Sequence, residues 1–347
     1  MVRGRYLHVH AIDMTQSLPA AELRDLAYRG LVAAGAREAN AVPTADALIA
    51  AELDGLPSHG LSRLPFYADQ ISRGKVDGRA VPTLSRPAAA LLRVDAHGGL
   101  AFPAIDLGLA AVPDIVRASG LVGIGIANSH HAGVVGHHVE RLAMQGLVAI
   151  AFANTPAAIA PWGGTRGILG TNPIAFACPR RKAAPLVIDL SVSIVARGKL
   201  LMAAGKGEPI PPGWALDKEG NPTTDAAAAL AGTIVPIGGA KGAALALMVE
   251  ILAAGLTGSQ FGFEASSFFD AEGPPPRTGQ LFLALDPVAL AGPSFIDRIE
   301  ALCAAMLADP AVRLPGERRL EARSRLARDG IPVPVKLLAE LRQRAAA

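Results

Sequence analysis

Ser58-His59-Gly60 stands just past the Asp54-Gly55 end of a helical pattern, with Arg63 and Tyr67 four and eight residues after His59. Arg63 and Tyr67 would share one helix face. Histidine titrates near neutral pH, and the arginine fork grips a carboxylate through two hydrogen bonds. A proton donor beside a carboxylate clamp is what hydride transfer to the C2 carbonyl or imine of a small acid requires. A capping serine followed by a surface histidine would give the same string, and spacing alone does not separate the two readings.

A second cluster, Asn128-Ser129-His130-His131-Ala132-Gly133, follows a strand pattern over 121–127 and precedes a helix. Strand C-terminal ends facing a helix N-terminus are where α/β proteins place ligands. Neighbours in sequence, His130 and His131 point apart, and His137 and His138 on the next helix lack an evident carboxylate partner. The histidines therefore suit catalysis or cofactor binding better than a metal, and no metal is expected. Pro161-Trp162-Gly163-Gly164 and Gly170-Thr171-Asn172-Pro173 are turn sequences first, whose hydroxyls and amides can also orient a ligand.

The common dinucleotide fingerprint is missing. Gly123-Ile-Gly125-Ile-Ala-Asn128 has asparagine where the third glycine belongs, and Gly238-Gly239-Ala240-Lys241-Gly242 has no Gly-Lys-Ser/Thr. What remains at the latter is a glycine-rich turn with one lysine opening a long helix, equally a plain helix entry or a phosphate contact.

Around these clusters the chain reads as helix over 21–34 and 41–53, then changes texture near Leu91. Helices over 105–119, 134–145 and 243–256 alternate with strands over 121–127, 147–153, 186–189 and 280–285, and the last fifty residues return to helix. This is an α/β architecture: a body over 86–289, with a cap of helices from residues 1–85 and 290–347.

The 347 residues are 51% hydrophobic, enough for an extensive core. No uninterrupted apolar run reaches the ~18–20 residues of a membrane span; the richest, 243–256, follows Lys241 and contains Glu250. Met1 to Met14 lacks the apolar segment and cleavage site of a secretion signal and reads as an extension, with Met14 an alternative start. Two distant cysteines, Cys178 and Cys303, fit a reducing, cytoplasmic setting. The basic excess over 313–328 reads as a solvated helix face, and 4% aromatics argues against nucleic-acid binding. A site for a phosphorylated cofactor stays open.

Taken in order, Ser58-His59-Gly60 with Arg63 and Tyr67, Asn128-Ser129-x-His131, Gly170-Thr171-Asn172-Pro173 and Gly238-Gly239-x-Lys241-Gly242 resemble the malate/L-lactate dehydrogenase family, over about Pro19 to Arg323. The resemblance implies a non-Rossmann NAD(P)-binding fold with a central mixed sheet, and homodimers. It implies that His59 donates the proton, supported by Ser58, while Arg63 holds the substrate carboxylate and Tyr67 and Thr171 belong to the substrate site. It also assigns cofactor contacts to His131, Ala132, Gly133, Val134 and Val135, to Asp189, Leu190 and Ser191, to Ala240 and Lys241, and to Arg313, Gly316, Arg318 and Arg319. In the ureidoglycolate branch the residue matching His131 is the acid/base, so both histidines stand as catalytic candidates.

Runs such as Pro156–Pro161 and Ala265–Asp270 are similar to reductases of Δ1-pyrroline-2-carboxylate and Δ1-piperideine-2-carboxylate, and also to sulfolactate-type dehydrogenases. Lys199 stands where the piperideine reductases carry an acid thought to assist the histidine. The first expectation is an NAD(P)H-dependent reductase of a small cyclic 2-imino acid. The alternatives are a 2-hydroxyacid dehydrogenase of malate, lactate or sulfolactate type, and a non-catalytic NAD(P) or small-molecule binding relative. NADPH is expected over NADH, because Lys241, Arg313, Arg318 and Arg319 could meet its 2′-phosphate.

Overall fold

In the computed structural model, residues 14–346 are described; the expectations for the extension before Met14 lie outside them. The chain opens with β1 (Thr15–Leu18), α1 (Ala20–Ala33), α2 (Glu38–Leu53) and α3 (Leu64–Ser72), followed by β2 (Thr83–Ala88) and β3 (Leu91–Asp95). Next come α4 (Ala101–Ala110), α5 (Val112–Ser119), β4 (Leu121–Ser129), α6 (Val135–Ala143), β5 (Val148–Ala153), β6 (Ile174–Cys178) and β7 (Leu186–Leu190). A lobe of α7 (Arg197–Lys206), β8 (Ala215–Leu216), β9 (Pro222–Thr223), α8 (Ala226–Ala231) and β10 (Thr233–Ile234) precedes α9 (Ala240–Glu250). The chain ends with β11 (Thr278–Leu285), α10 (Pro287–Ala291), α11 (Phe295–Leu307), α12 (Glu317–Asp329), β12 (Ile331–Pro334) and α13 (Val335–Ala345).

Seven strands form a mixed sheet in the order β2-β3-β4-β11-β5-β6-β7, in which only β3 and β4 run parallel. Because side chains alternate along a strand, Ala149, Ala151, Phe282 and Ala284 bury into one face beneath α4, α5 and α6. Phe152, Leu281 and Leu283 face the other way, onto Val249 and Ala253 of α9 and its continuation. The sheet thus positions α6 and α9 on opposite faces.

Helices from both ends of the chain pack into one cap. Leu23 and Leu31 of α1, Leu48 of α2, Leu64 and Tyr67 of α3, and Leu338 and Leu341 of α13 share one core. The last fifty residues are not all helix, however: β12 pairs antiparallel with β1, placing Ile331 opposite Leu18. Nor does α11 join the cap. Arg180 beside β6 grips Glu300 through two hydrogen bonds of 3.1 and 2.8 Å, which fastens α11 to the edge of the body.

The helix expected over 105–119 is two, divided at Ala111, because Pro113 opens α5 without an amide hydrogen to donate backward. The helix expected over 243–256 begins earlier, at Ala240, and its last turn widens to a π-helix over Ile251–Gly255. The lobe between β7 and α9 has its own small core of Val195, Leu200, Ile210, Ala226 and Ile234. Among the described residues no helix is long and apolar enough to cross a membrane.

Candidate active site

A cavity of about 1190 Å³ lies where cap, body and lobe meet. It exceeds the roughly 300–1,000 Å³ usual for a small-ligand pocket, leaving room for a dinucleotide and a small acid together. Of the expected site residues, His59, Arg63, Thr171, His131 to Val135, Asp189 to Ser191, Arg313, Gly316, Arg318 and Arg319 line it. Ser58, Tyr67, Ala240 and Lys241 do not.

The Ser58-His59-Gly60 turn is built on Glu52, the last buried polar residue of α2. Glu52 Oε1 accepts the Leu61 amide at 2.7 Å, and a Cβ on Gly60 would fall 2.3 Å from that oxygen. Glycine is needed here for space. Burial pushes the Glu52 carboxyl up to about 7, against the pull of the Leu61 amide. On this base the Ser58 hydroxyl lies 3.1 Å from His59 Nδ1, leaving Nε2 for a substrate. Ser58 therefore serves the site by holding His59, without lining the cavity.

Arg63 donates from Nε to the Ser58 carbonyl at 2.7 Å, and its guanidinium sits 4.4 Å above the Phe269 ring. Its Nη1 is buried with no protein partner. An arginine donor left unpaired in a cavity wall is expensive unless a ligand completes it, and a carboxylate fits the fork.

Tyr67 requires a correction. It is fully buried and does not line the cavity; its hydroxyl lies 2.6 Å from His131 Nδ1, which sets the orientation of that ring. His131 and His59 stack with ring centroids 5.6 Å apart and planes inclined by 28°. His130 points away from the cavity, wedged edge-on between Tyr67 and Phe268, and neither of its ring nitrogens has a partner. Burial, reinforced by Arg63, lowers His59 to about 3 and His131 well below its ordinary value. Both imidazoles are neutral at pH 7.

Thr171 is placed by a buried network that its turn sequence does not reveal. Glu250, at the end of α9, accepts Asn172 Nδ2 at 2.6 Å, Asn154 Nδ2 at 3.0 Å and the Gly262 amide at 2.5 Å. Thr155 Oγ1 accepts the Thr171 amide at 2.9 Å and approaches its hydroxyl at 3.2 Å. A lone acid inside an apolar helix was the available signal, since such a group must find partners.

At the opposite end the β4–α6 turn presents the amide end of α6 to the cavity. Gly133 there takes φ +66°, and a Cβ would come 2.9 Å from the Phe102 ring. Asp189 Oδ2 accepts the Gly136 amide at 2.7 Å, while burial raises its pKa. His137 does have a carboxylate partner: its Nε2 lies 2.7 Å from Asp54 Oδ2. Asp54 also accepts from Arg319 at 2.9 Å and Arg323 at 2.7 Å, and both arginines bond Glu140 of α6. Although burial opposes ionisation, the His137 and Arg323 hydrogen bonds hold Asp54 well below the usual carboxylate range.

The basic run over 313–328 is thus partly a latch between cap and body, not merely a solvated face. Arg319 is committed to it. Arg313 and Arg318 line the cavity without a carboxylate partner among the described residues, and Arg325 lines it too, which fits a ligand carrying phosphates. Ala240 and Lys241 lie elsewhere because they open α9, away from the α6 face; the preceding Gly239 abuts the exposed Trp162 ring. Among the described residues no group of three or more His, Cys, Asp or Glu side chains is arranged to hold a metal.

A family model described as malate/L-lactate dehydrogenase matches residues 18–342. A (2R)-3-sulfolactate dehydrogenase (NADP(+)) of Chromohalobacter salexigens is 54% identical over 329 residues, covering 95% of this chain and 98% of that protein. A Δ1-pyrroline-2-carboxylate/Δ1-piperideine-2-carboxylate reductase of Pseudomonas aeruginosa is 42% identical, covering 92% and 96%. Among solved structures, the Δ1-piperideine-2-carboxylate reductase of Pseudomonas syringae superposes with a TM-score of 0.90 at 38% identity, covering 95% of this chain and all of that one.

Proposed function

The chain belongs to the malate/L-lactate dehydrogenase family, and from that premise we propose that it is an NADP(H)-linked oxidoreductase interconverting a small 2-hydroxy acid and its 2-oxo acid. The observation that carries the reading is the unpartnered, buried Nη1 of Arg63 beside two neutral histidines in the cavity. Arg63 takes the substrate carboxylate and so turns C2 toward the imidazoles. In the oxidative direction His59 accepts the C2 hydroxyl proton at Nε2 as the carbonyl forms, and the neutral imidazole is the state that can do so. In the reductive direction a protonated His59 returns that proton to the nascent alkoxide. Substrate binding favours this state, because a carboxylate on Arg63 offsets the cationic repulsion that lowers His59. Bound NADP(H) supplies or accepts the hydride at C2. Arg313, Arg318 and Arg325, with the first turn of α6, would hold its phosphates.

Cyclic 2-imino acids, the first expectation from sequence, stand second. The hydroxy-acid reading is supported by the 54% identity to a sulfolactate dehydrogenase against 42% to an imine reductase, and by Lys199 in place of the reductases' assisting acid. Two free, buried cysteines suit the reducing cytoplasm. The test is a panel with both cofactors: oxidation of 3-sulfolactate, malate and lactate, and reduction of Δ1-pyrroline-2-carboxylate. Turnover of the imine alone overturns the hydroxy-acid reading, and turnover of nothing in the panel points to a binding protein.

A further inference from the structure

Arg197 begins α7, and Ala196, Arg197 and Gly198 all line the active-site cavity. The opening turn of a ten-residue helix presents unpaired amides and the positive end of its dipole. Arg197 is half-buried. Its hydrogen bond, from Nη2 to the Leu230 carbonyl, measures 3.3 Å, beyond the usual N–H···O range. Burial lowers the pKa of Arg197 and no carboxylate counters it, although a guanidinium remains charged.

This turn sits at the substrate end of the cavity. A Cβ on Gly198 would lie 3.5 Å from the Ser58 Cβ, and Ser58 is the residue whose hydroxyl meets His59 and whose carbonyl anchors Arg63. Independently, Arg63 is only 6% exposed and its Nη1 has no partner. Beside Ser58, at this end of the cavity, two guanidiniums therefore face the same space, and among the described residues neither is paired with an acid. A monoanionic substrate satisfies one of them. An acid with a second anionic group on C3 satisfies both.

We propose that Arg197 and the first turn of α7 form a second anion subsite, which selects 2-hydroxy acids bearing a sulfonate or carboxylate on C3 over those ending in a methyl group or an apolar ring. The inference rests on the hydroxy-acid reading above and adds to it the residue that sets the substrate's other end. Arg63 takes the C1 carboxylate next to the reacting carbon, and Arg197 takes the distal group.

The test compares wild type with Arg197→Met, which keeps an apolar stem of similar length, and Arg197→Lys, which keeps the charge but loses the fork. kcat/KM is measured for 3-sulfolactate, malate and lactate, together with competitive inhibition by sulfoacetate and by acetate. Arg197→Met is expected to lose roughly 10- to 100-fold in kcat/KM for 3-sulfolactate and malate, the loss expected for one charge-assisted hydrogen-bonding partner, and less than about 3-fold for lactate. Inhibition by sulfoacetate should weaken in parallel, inhibition by acetate should hold, and Arg197→Lys should recover part of the loss. Equal losses on all three substrates, or none, would overturn the proposal, the first result assigning Arg197 to the fold of the lobe. The inhibition arm separates the two claims. An enzyme that turns over only cyclic imines, yet loses sulfoacetate inhibition with Arg197, retains the anion subsite and refutes the hydroxy-acid reading instead.

Discussion

The Tyr67 hydroxyl and His131 Nδ1 are 2.6 Å apart in a fully buried setting, and this contact fixes which nitrogen of His131 can face the cavity. Ser58 does the same for His59. Two oriented neutral imidazoles thus stack beside Arg63, and the proposed reaction needs only one of them to move the proton.

His59 is predicted to be that one, because its Nδ1 is held by a hydroxyl while its neighbour Arg63 places the substrate. His59→Ala should lower kcat by ~10²–10⁴, the range for loss of a general acid or base, with cofactor affinity nearly unchanged. Tyr67→Phe should cost less, about tenfold in kcat with little change in KM, since it only frees the orientation of His131. Steady-state kinetics of the two variants and of His131→Ala decide the matter. If His131→Ala abolishes turnover while His59→Ala leaves it near normal, the roles are reversed.

The arginines over 313–325 divide into two classes by partner. Arg318 and Arg313 have no carboxylate partner among the described residues, so losing either should cut kcat/KM for NADPH by about tenfold and spare NADH, as for a charge-assisted contact to a phosphate. Arg319 is bound to Asp54 and Glu140 with only 12% of its side chain exposed. Arg319→Ala should instead leave two buried carboxylates short of a partner, lower stability by about 3–5 kcal/mol, and weaken both cofactors alike. Thermal unfolding and the ratio of the two cofactor efficiencies distinguish the classes. A wild type that prefers NADH would sink the 2′-phosphate assignment.

Dimerisation is expected on the outer face of α9. Leu245, Leu247 and Met248 on α9, with Ile251 and Leu256 on the π-helical turn that continues it, are exposed, a set of apolar side chains that a monomer rarely leaves in water. Replacing Leu247 and Ile251 with glutamate should convert a dimer to a monomer in light scattering. A wild type that is monomeric and active at assay concentration would refute the expectation.

What the sequence disclosed depended on distance along the chain. Ser58, His59 and Arg63 lie within six residues, so their side-chain chemistry and spacing already outlined a site. Asp54 and Arg323 are separated by 269 positions and Asn154 and Glu250 by 96, and no local periodicity reports such pairs. Strand β12 escaped notice for a different reason: Pro332 and Pro334 in a four-residue run suppress the strand signal, and only pairing with β1 at the other terminus makes it a strand. The place of Tyr67 behind the cavity wall is not legible either, because helix spacing puts it near Arg63 but does not say what stands between it and the cavity.

Acid should destabilise the protein at pH values where most carboxylates are still ionised. His59, His130 and His138 are lowered to about 3 by burial first, and His131 well below its ordinary value, so the fold resists protonating them. The unfolded chain protonates all four below about pH 6.5, and it then binds more protons than the folded one. Their contribution is therefore complete above pH 6.5 and is lost as the pH falls, at about 1.4 kcal/mol per pH unit for each histidine. Glu52 works in the opposite sense. Its folded carboxyl, raised to about 7, holds a proton that the unfolded chain releases above about pH 4.5, so its contribution is present in acid and lost as the pH rises to 7. Four imidazoles, His59 included, outweigh the one carboxyl, so lowering the pH from about 6.5 to about 4.5 brings a net loss of stability. Tm should accordingly drop steeply from pH 7 to 5. Glu52→Gln, which can still accept the Leu61 amide but cannot titrate, should make that drop steeper, whereas His138→Leu should make it shallower. A Tm that stays flat from pH 7 to 5 would show that the buried imidazoles take up protons without unfolding the chain.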